Sequence, residues 1–167
     1  YIMKNVLITG GCGFIGSNFV RHLNKMNEFR TIILDKLTYA GSLNNLNKIN
    51  KKKYEFVKGD ICDEKLVTNL FKNYKFSAVF HFAAESHVDR SIDGPKDFIQ
   101  TNIVGTYNLL EASRAIYNEN EDDFKFIHVS TDEVYGDLAE GAYFKETTPY
   151  APSSPYSASK ASSDHLV

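Results

Sequence analysis

Residues 4–18 read KNVLITGGCGFIGSN, and the reading of this stretch decides the fold. Lys4–Thr9 is a short apolar, β-branched run ending at glycines, the pattern of a strand buried on both faces. From Phe14 to about Lys25, the apolar residues Phe14, Ile15, Phe19, Val20 and Leu23 share one helical face. Between strand and helix the glycines satisfy both G-x-G-x-x-G (Gly11, Gly13, Gly16) and G-x-x-G-x-x-G (Gly10, Gly13, Gly16). Such a loop lets backbone N–H groups approach a pyrophosphate, with the partial positive charge of the helix N-terminus behind them. The plainer alternative is a glycine turn that binds nothing.

The alternation continues outward from this unit. Further strands are expected at residues 31–35 (TIILD), 54–57 (YEFV), 78–83 (AVFHFA) and 125–130 (KFIHVS). Between them lie a short helix around Leu43, Leu46 and Ile49, the solvated run Lys51–Lys53, and a helix over Glu64–Asn73 with Leu66, Val67, Leu70 and Phe71 inward. A long helical stretch over about residues 95–116 follows, with Ile99, Ile103, Tyr107, Leu110 and Ala115 recurring near 3.6. An acidic surface loop at 119–123 precedes the fifth strand, and a last helix runs from Tyr156. Strands separated by helices demand parallel pairing through right-handed crossovers. The expected fold is a doubly wound parallel α/β sheet in one domain, residues 1–167, with ligands at the carboxyl ends of the strands.

Composition agrees with this and excludes other classes. The chain has 167 residues, with 19 Lys+Arg against 21 Asp+Glu. At 43% hydrophobic and 24% charged it is neither disordered, collagenous nor a coiled coil. The near-neutral balance gives no general pull toward nucleic acid or anionic membrane. No apolar run approaches the ~20 residues that span a bilayer, and the run before the glycines is too short for a signal peptide. Cys12 and Cys62 make no disulfide framework, so a reducing cytoplasm is expected. His81, His87 and His128 have no metal-ligand spacing. His81 and His128 read as core or strand residues, and His87 as the one facing a cleft.

Three further groups carry chemistry. Asp35, ending the second strand, suits the hydroxyls of an adenosine ribose and repels a 2′-phosphate, favouring NAD over NADP, although Lys36 beside it partly offsets that repulsion. Asp60 and Ile61 end the third strand, where an adenine edge and a helix N-cap are equally good readings for Asp60. After the fifth strand, Ser130-Thr131-Asp132-Glu133-Val134-Tyr135-Gly136 offers two adjacent carboxyl groups that point differently. They suit an acid–base pair, or simply a helix start. Tyr156 and Lys160 form Y-x-x-x-K, one helical turn apart on one face, where the lysine is expected to lower the phenol's pKa. The preceding Pro149–Pro155 run is rigid and fixes where that helix begins.

The stretches TGGCGFIGSN, DKLTYAG, GDICD, HFAAESHVDRSI, TNIVGTYNLLEA, STDEVYGD and YAPSSPYSASKASSDHLV, in this order, resemble the extended short-chain dehydrogenases. As a set they are similar to the nucleotide-sugar 4,6-dehydratases that act on dTDP-glucose. The resemblance implies a Rossmann-like domain and one bound NAD. It implies that Tyr156 deprotonates the glucose 4-hydroxyl, with Thr131 and Lys160 positioning the alcohol. Glu133 then removes the C5 proton while Asp132 protonates the departing C6 hydroxyl, giving dTDP-4-keto-6-deoxyglucose, a precursor of deoxysugars such as rhamnose. By the same resemblance, Gly10, Gly13, Phe14, Ile15 and Gly16 contact the pyrophosphate, while Asp35, Lys36, Leu37, Thr38, Asp60 and Ile61 surround the adenosine. Phe82, Ala83, Ala84, Ser86 and Thr101 line the cofactor together with Tyr156 and Lys160, and Ser86 and Thr131 also meet the substrate.

Cys12 replaces an alanine common in such proteins, with an oxidisable thiol as the expected consequence. The resemblance also implies a homodimer through helices around 102–116 and at Tyr156. It further implies a C-terminal substrate region outside this stretch, and hence that the stretch alone is inactive. Two other readings stay open: another NAD-dependent nucleotide-sugar epimerase, decarboxylase or dehydratase, and a non-catalytic NAD-binding module.

Overall fold

The computed structural model describes residues 3–117 and 124–167, so the acidic loop expected at 119–123 lies outside the described residues. These fall into two compact units. The first holds the residues up to Ala83 and those within Asn108–Val129; the second holds Ala84–Tyr107 and Ser130–Val167.

The first unit is built on a parallel sheet of β1 (Lys4–Thr9), β2 (Phe29–Asp35), β3 (Tyr54–Lys58), β4 (Phe76–His81) and β5 (Lys125–His128). Its order is β3-β2-β1-β4-β5, with every pair parallel. The doubly wound expectation is borne out, and the winding reverses between β1 and β4, where such sheets open a crevice. Side chains along β1 and β2 alternate between two cores, as a period of two requires. Leu7, Ile32 and Leu34 pack with Val67, Leu70 and Phe71 of α2 (Glu64–Asn73) and with Leu109 and Ala112. Val6, Ile8 and Ile33 pack on the opposite face with Val20 and Leu23 of α1 (Phe14–Lys25) and with Leu46 and Ile49.

Several boundaries differ from the sequence reading, for reasons visible in the pairing. β4 runs over Phe76–His81 rather than 78–83, because its partner β1 turns away after Thr9. Phe82 N–H still donates to Thr9 O and Ala83 N–H to Thr9 Oγ1, and there the ladder stops. β2 begins earlier, at Phe29, where Phe29 and Arg30 sit opposite Lys4 and Asn5. β5 ends at His128 instead of 130. The short helix around Leu43 is a single 3-10 turn, Leu43–Leu46, capped by Ser42. The lysine run is another such turn, Lys51–Lys53, capped by Asn50.

The second unit departs further from expectation. A helix not foreseen, α3 (Val88–Asp93), is capped by His87, whose Nδ1 accepts from Arg90 N–H at 3.5 Å. His87 therefore serves a helix end. The long stretch over 95–116 is not uniform: α4 (Lys96–Phe98) passes into a wide π-helical segment, Ile99–Gly105, and then α5 (Thr106–Ile116). Its buried face carries Phe98, Asn102, Gly105 and Thr106. The apolar recurrence marks the outer side instead, with Ile99 47% and Tyr107 51% exposed. Polar Asn102 and Thr106 go inward because their side chains find hydrogen bonds there. Finally α6 (Pro155–Leu166) starts with proline at its first position and a reciprocal Ser154/Ser157 capping box.

Candidate functional site

In the first unit the site is a loop with no room for side chains. Gly13 occupies the N-cap of α1 and has no side chain to offer, so no side chain caps that helix. Its first turn presents Phe14 and Ile15 outward, 83% and 60% exposed. A Cβ on Gly16 would stand 2.2 Å from Gly10 O, and one on Gly10 would stand 2.7 Å from Ala83 N. The helix therefore begins hard against the strand, with uncapped N–H groups at a positive dipole end, as an anionic pyrophosphate requires.

Asp35 is buried and holds this loop in place. Its Oδ2 accepts from Cys12 N–H and its Oδ1 from Leu37 N–H, both at 2.8 Å. The second bond goes with a left-handed Leu37 at φ 58, a conformation that costs a bulky residue about 1–3 kcal/mol and concentrates at binding sites. Each carboxylate oxygen keeps a lone pair for a ribose hydroxyl. Lys36 does not stand over Asp35 but is drawn to Asp60, Nζ to Oδ2 2.6 Å. Burial works against the Asp60 charge, yet Lys36 and the Cys62 N–H outweigh it and hold the carboxyl below its ordinary value. The N-cap of α2 is Asp63, accepting from Leu66 N–H, so the cap reading of Asp60 is corrected. Ile61 is buried, and its carbonyl accepts from Asn108 Nδ2.

The oxidisable-thiol expectation for Cys12 is also corrected. The residue is fully buried, and burial together with the Asp35 charge pushes its thiol up to about 12. A protonated, shielded thiol is inert. His81, likewise buried, is held by the Thr9 hydroxyl at 2.7 Å.

In the second unit two segments carry the remaining chemistry. Thr131 caps a 3-10 turn, Asp132–Tyr135, which leaves Asp132 and Glu133 exposed. Tyr156 and Lys160 are buried one turn apart on α6, 8% and 3% exposed. The phenol sits above its ordinary value, not below it as Lys160 alone suggests. Burial raises it most; the Thr131 hydrogen bond opposes that, and the Glu133, Asp132 and Asp164 carboxylates add to it. Lys160 falls to about 8 because burial disfavours its charge, with Asp164 opposing.

Of the other expected residues in this unit, Ala84 and Ser86 lie exposed in the loop after β4, and Thr101 is half-buried in the π segment.

Two residues to which the sequence reading gave no role hold this arrangement. Asn102 Oδ1 accepts from Glu85 N–H, while its Nδ2 donates to Glu85 O and to Ser159 Oγ, each at 2.9 Å. One side chain thus clamps the loop of Ser86 to the helix of Tyr156. Ser91 Oγ accepts the Tyr156 N–H at 3.1 Å. For Asn102 the local signal was its polarity within an apolar helical stretch, whereas Ser91 lies in VDRSID, which shows no apolar period. Asn102→Leu should lower stability by about 3 kcal/mol, since it strands buried partners. Chemical denaturation checks this, and an unchanged midpoint would contradict the clamp.

Among the described residues, no group of His, Cys, Asp and Glu is placed to hold a metal ion, and no helix is long and apolar enough to cross a membrane.

The chain matches the family model described as GDP-mannose 4,6 dehydratase over residues 7–167. It is 55% identical to the dTDP-glucose 4,6-dehydratase of Neisseria meningitidis serogroup B, over 99% of this chain and 48% of that protein. Among solved structures it is similar to DesIV, a dTDP-glucose 4,6-dehydratase from Streptomyces venezuelae with NAD and TYD bound. There the TM-score is 0.87 at 43% identity, covering 98% of this chain and 50% of that one. A UDP-glucose 4-epimerase from Thermus thermophilus complexed with NAD gives 0.86 at 34% identity, covering 98% and 49%. The chain thus spans about half the length of these proteins.

Proposed function

The chain belongs to the GDP-mannose 4,6 dehydratase family, and from that membership we propose that the protein converts dTDP-glucose to dTDP-4-keto-6-deoxyglucose with NAD as cofactor. Residues 1–167 are read as its NAD-binding domain. The observation that carries the reading is the turn of Thr131, Asp132 and Glu133, which places two exposed carboxyl groups beside a buried Tyr-Lys pair. An epimerisation, which removes no water, has no use for that carboxyl pair.

The glycine loop fits the cofactor, since its crowded glycines and uncapped helix suit a pyrophosphate and Asp35 suits a ribose. Phe14 and Ile15 would bind through their backbone, and Asp35 with Lys36, Leu37, Thr38, Asp60 and Ile61 would surround the adenosine. Phe82, Ala83, Ala84, Ser86 and Thr101 would line the remainder. When bound, NAD⁺ would supply the hydride acceptor for sugar C4 and the donor for C6.

Tyr156 takes the proton of the 4-hydroxyl, while Thr131 and Lys160 hold the alcohol. Oxidation at C4 acidifies the C5 proton, which Glu133 removes as a carboxylate. Asp132 gives a proton to the departing C6 hydroxyl, so the net reaction is loss of water.

The whole protein incubated with dTDP-glucose should yield a sugar lighter by one water in mass analysis; an unchanged mass would sink dehydration and favour epimerisation. Glu133→Gln should lose C5 proton exchange by about 10²-fold or more while hydride still reaches NAD⁺. Persistent exchange would remove Glu133 as the base.

The outward Ile99 and Tyr107 support a homodimer in which the 99–116 segment and α6 pack against their mates. Sedimentation at low concentration tests this. Free Cys12 and Cys62 suit a reducing cytoplasm.

A further inference from the structure

Tyr156, Lys160 and Asp164 stand at i, i+4 and i+8 on α6, one face repeated over two turns. Asp164 is not among the groups that act on substrate, yet a single one of its oxygens joins two other segments. Oδ2 accepts from Ser130 Oγ at 2.5 Å and from Tyr150 Oη at 3.1 Å.

Ser130 immediately precedes Thr131, the cap of the turn that carries Asp132 and Glu133. Tyr150 immediately precedes Ala151, whose N–H donates to Val134 O inside that turn at 3.0 Å. The Tyr150 ring is itself fixed, edge-on to Tyr135 at 5.3 Å and beside His165 at 5.0 Å. Within the turn, Glu133 N–H donates to Thr131 Oγ1 at 3.3 Å, Thr131 Oγ1 to Asp132 Oδ1 at 3.4 Å and Gly136 N–H to Glu133 O at 3.2 Å. The turn is therefore held at both ends by a carboxylate rooted in the helix of Tyr156 and Lys160.

We propose that Asp164 is a positioning residue, which sets the spacing between the Asp132/Glu133 pair and the Tyr156/Lys160 pair. The inference rests on the dehydratase reading, because only a reaction that uses both pairs in turn on one sugar depends on their separation. A misplacement of about 1 Å can cost about 10²-fold in rate.

The test compares three variants of the whole protein. In Asp164→Asn, one carbonyl oxygen can still accept both hydrogen bonds, so kcat should stay within about threefold of wild type. Asp164→Leu has a similar shape and accepts neither. The double variant Ser130→Ala/Tyr150→Phe keeps the carboxylate but removes both donors. The last two should each lose about 10- to 100-fold in kcat with KM within about threefold, whereas a merely destabilised fold would lose active enzyme in proportion to its unfolded fraction. The double variant keeps the test open should the leucine variant not fold.

Equal impairment of the asparagine and leucine variants, or a double variant with wild-type kcat, would overturn the proposal. If wild-type protein leaves dTDP-glucose unchanged, it is the dehydratase reading that fails. Amide exchange across Asp132–Tyr135 then decides the positioning role without any substrate. Protection should be kept in the asparagine variant and lost in the other two; equal protection in all three refutes the role.

Discussion

Lys160→Met should make the protein more stable and nearly inactive at once. The lysine is buried on α6 at 3% exposure, and its ammonium falls from an ordinary 10.5 to about 8 because burial disfavours the charge. A difference of that size corresponds to about 3 kcal/mol of destabilisation at neutral pH, where both the folded and unfolded forms are charged. Methionine keeps an unbranched apolar stem and has no charge to desolvate. A gain of about 3 kcal/mol is large beside a typical total of roughly 5–15 kcal/mol.

The sign is fixed by which state binds more protons. Between about pH 8 and 10.5 the folded lysine loses its proton while the unfolded one keeps it, so wild-type stability rises with pH across that window. The methionine variant lacks this rise. Its advantage should be full below pH 8 and gone near 10.5, as denaturant midpoints at several pH values will show. Turnover should fall by about 10²-fold or more, the scale of a lost positioning contact on the reacting alcohol. A variant no more stable than wild type at neutral pH would mean that the buried charge carries no cost. The site has a charge at a place where folding alone would choose none.

The second large effect concerns a single methyl group. Gly16→Ala would set a Cβ 2.2 Å from Gly10 O and 2.9 Å from Gly10 C and Gly11 Cα. All three neighbours are backbone, in a loop already fixed by Asp35, so no side chain can swing aside to make room. The helix must back away from the strand, at a cost of about 3 kcal/mol or more. Uncapped N–H groups of the first turn move with it, so NAD⁺ affinity should drop by about 100-fold or more in calorimetry, as a loss of roughly 3 kcal/mol implies. Gly141→Ala is the control. That glycine has φ +78 but nothing within 4 Å of a Cβ, so only backbone strain of about 1 kcal/mol is expected and NAD⁺ binding should persist. Similar losses in the two variants would show that strain, and not the close approach, governs the loop.

How much of this was legible depends on what each residue relies on. β1, the glycine loop, α1 and α2 follow from local pattern, because their buried residues are apolar and recur at the right period. α3 and the π segment were hidden because Ser91, Asn102 and Thr106 are buried by hydrogen bonds, and apolar periodicity does not register such residues. The same limit left open which way the 99/103/107 stripe faces. Tyr156 and Lys160 were visible from spacing. The direction of the phenol's shift was not, since it comes from burial and from Asp132 and Glu133, which the fold brings to it. Asp60 read equally well as an adenine contact or a cap; its ion pair with Lys36 engages it, and Asp63, which the reading did not consider, caps α2.

The strand order also constrains how the first unit can assemble. β1 lies at its centre, yet its two neighbours come from very different distances along the chain, with Lys4 opposite Phe29 on one side and Thr9 opposite His81 on the other. During synthesis β1, β2 and β3 can pair early, leaving the second edge of β1 open until residues 76–81 emerge. At about 5–20 residues per second that gap lasts about a second or more. Through that interval Val6, Leu7 and Ile8 form a bare apolar edge, a template for any other extended chain nearby. Ribosome-bound nascent chains stopped between β3 and β4 should therefore be the ones that most need a chaperone, and those extended past His81 should release it.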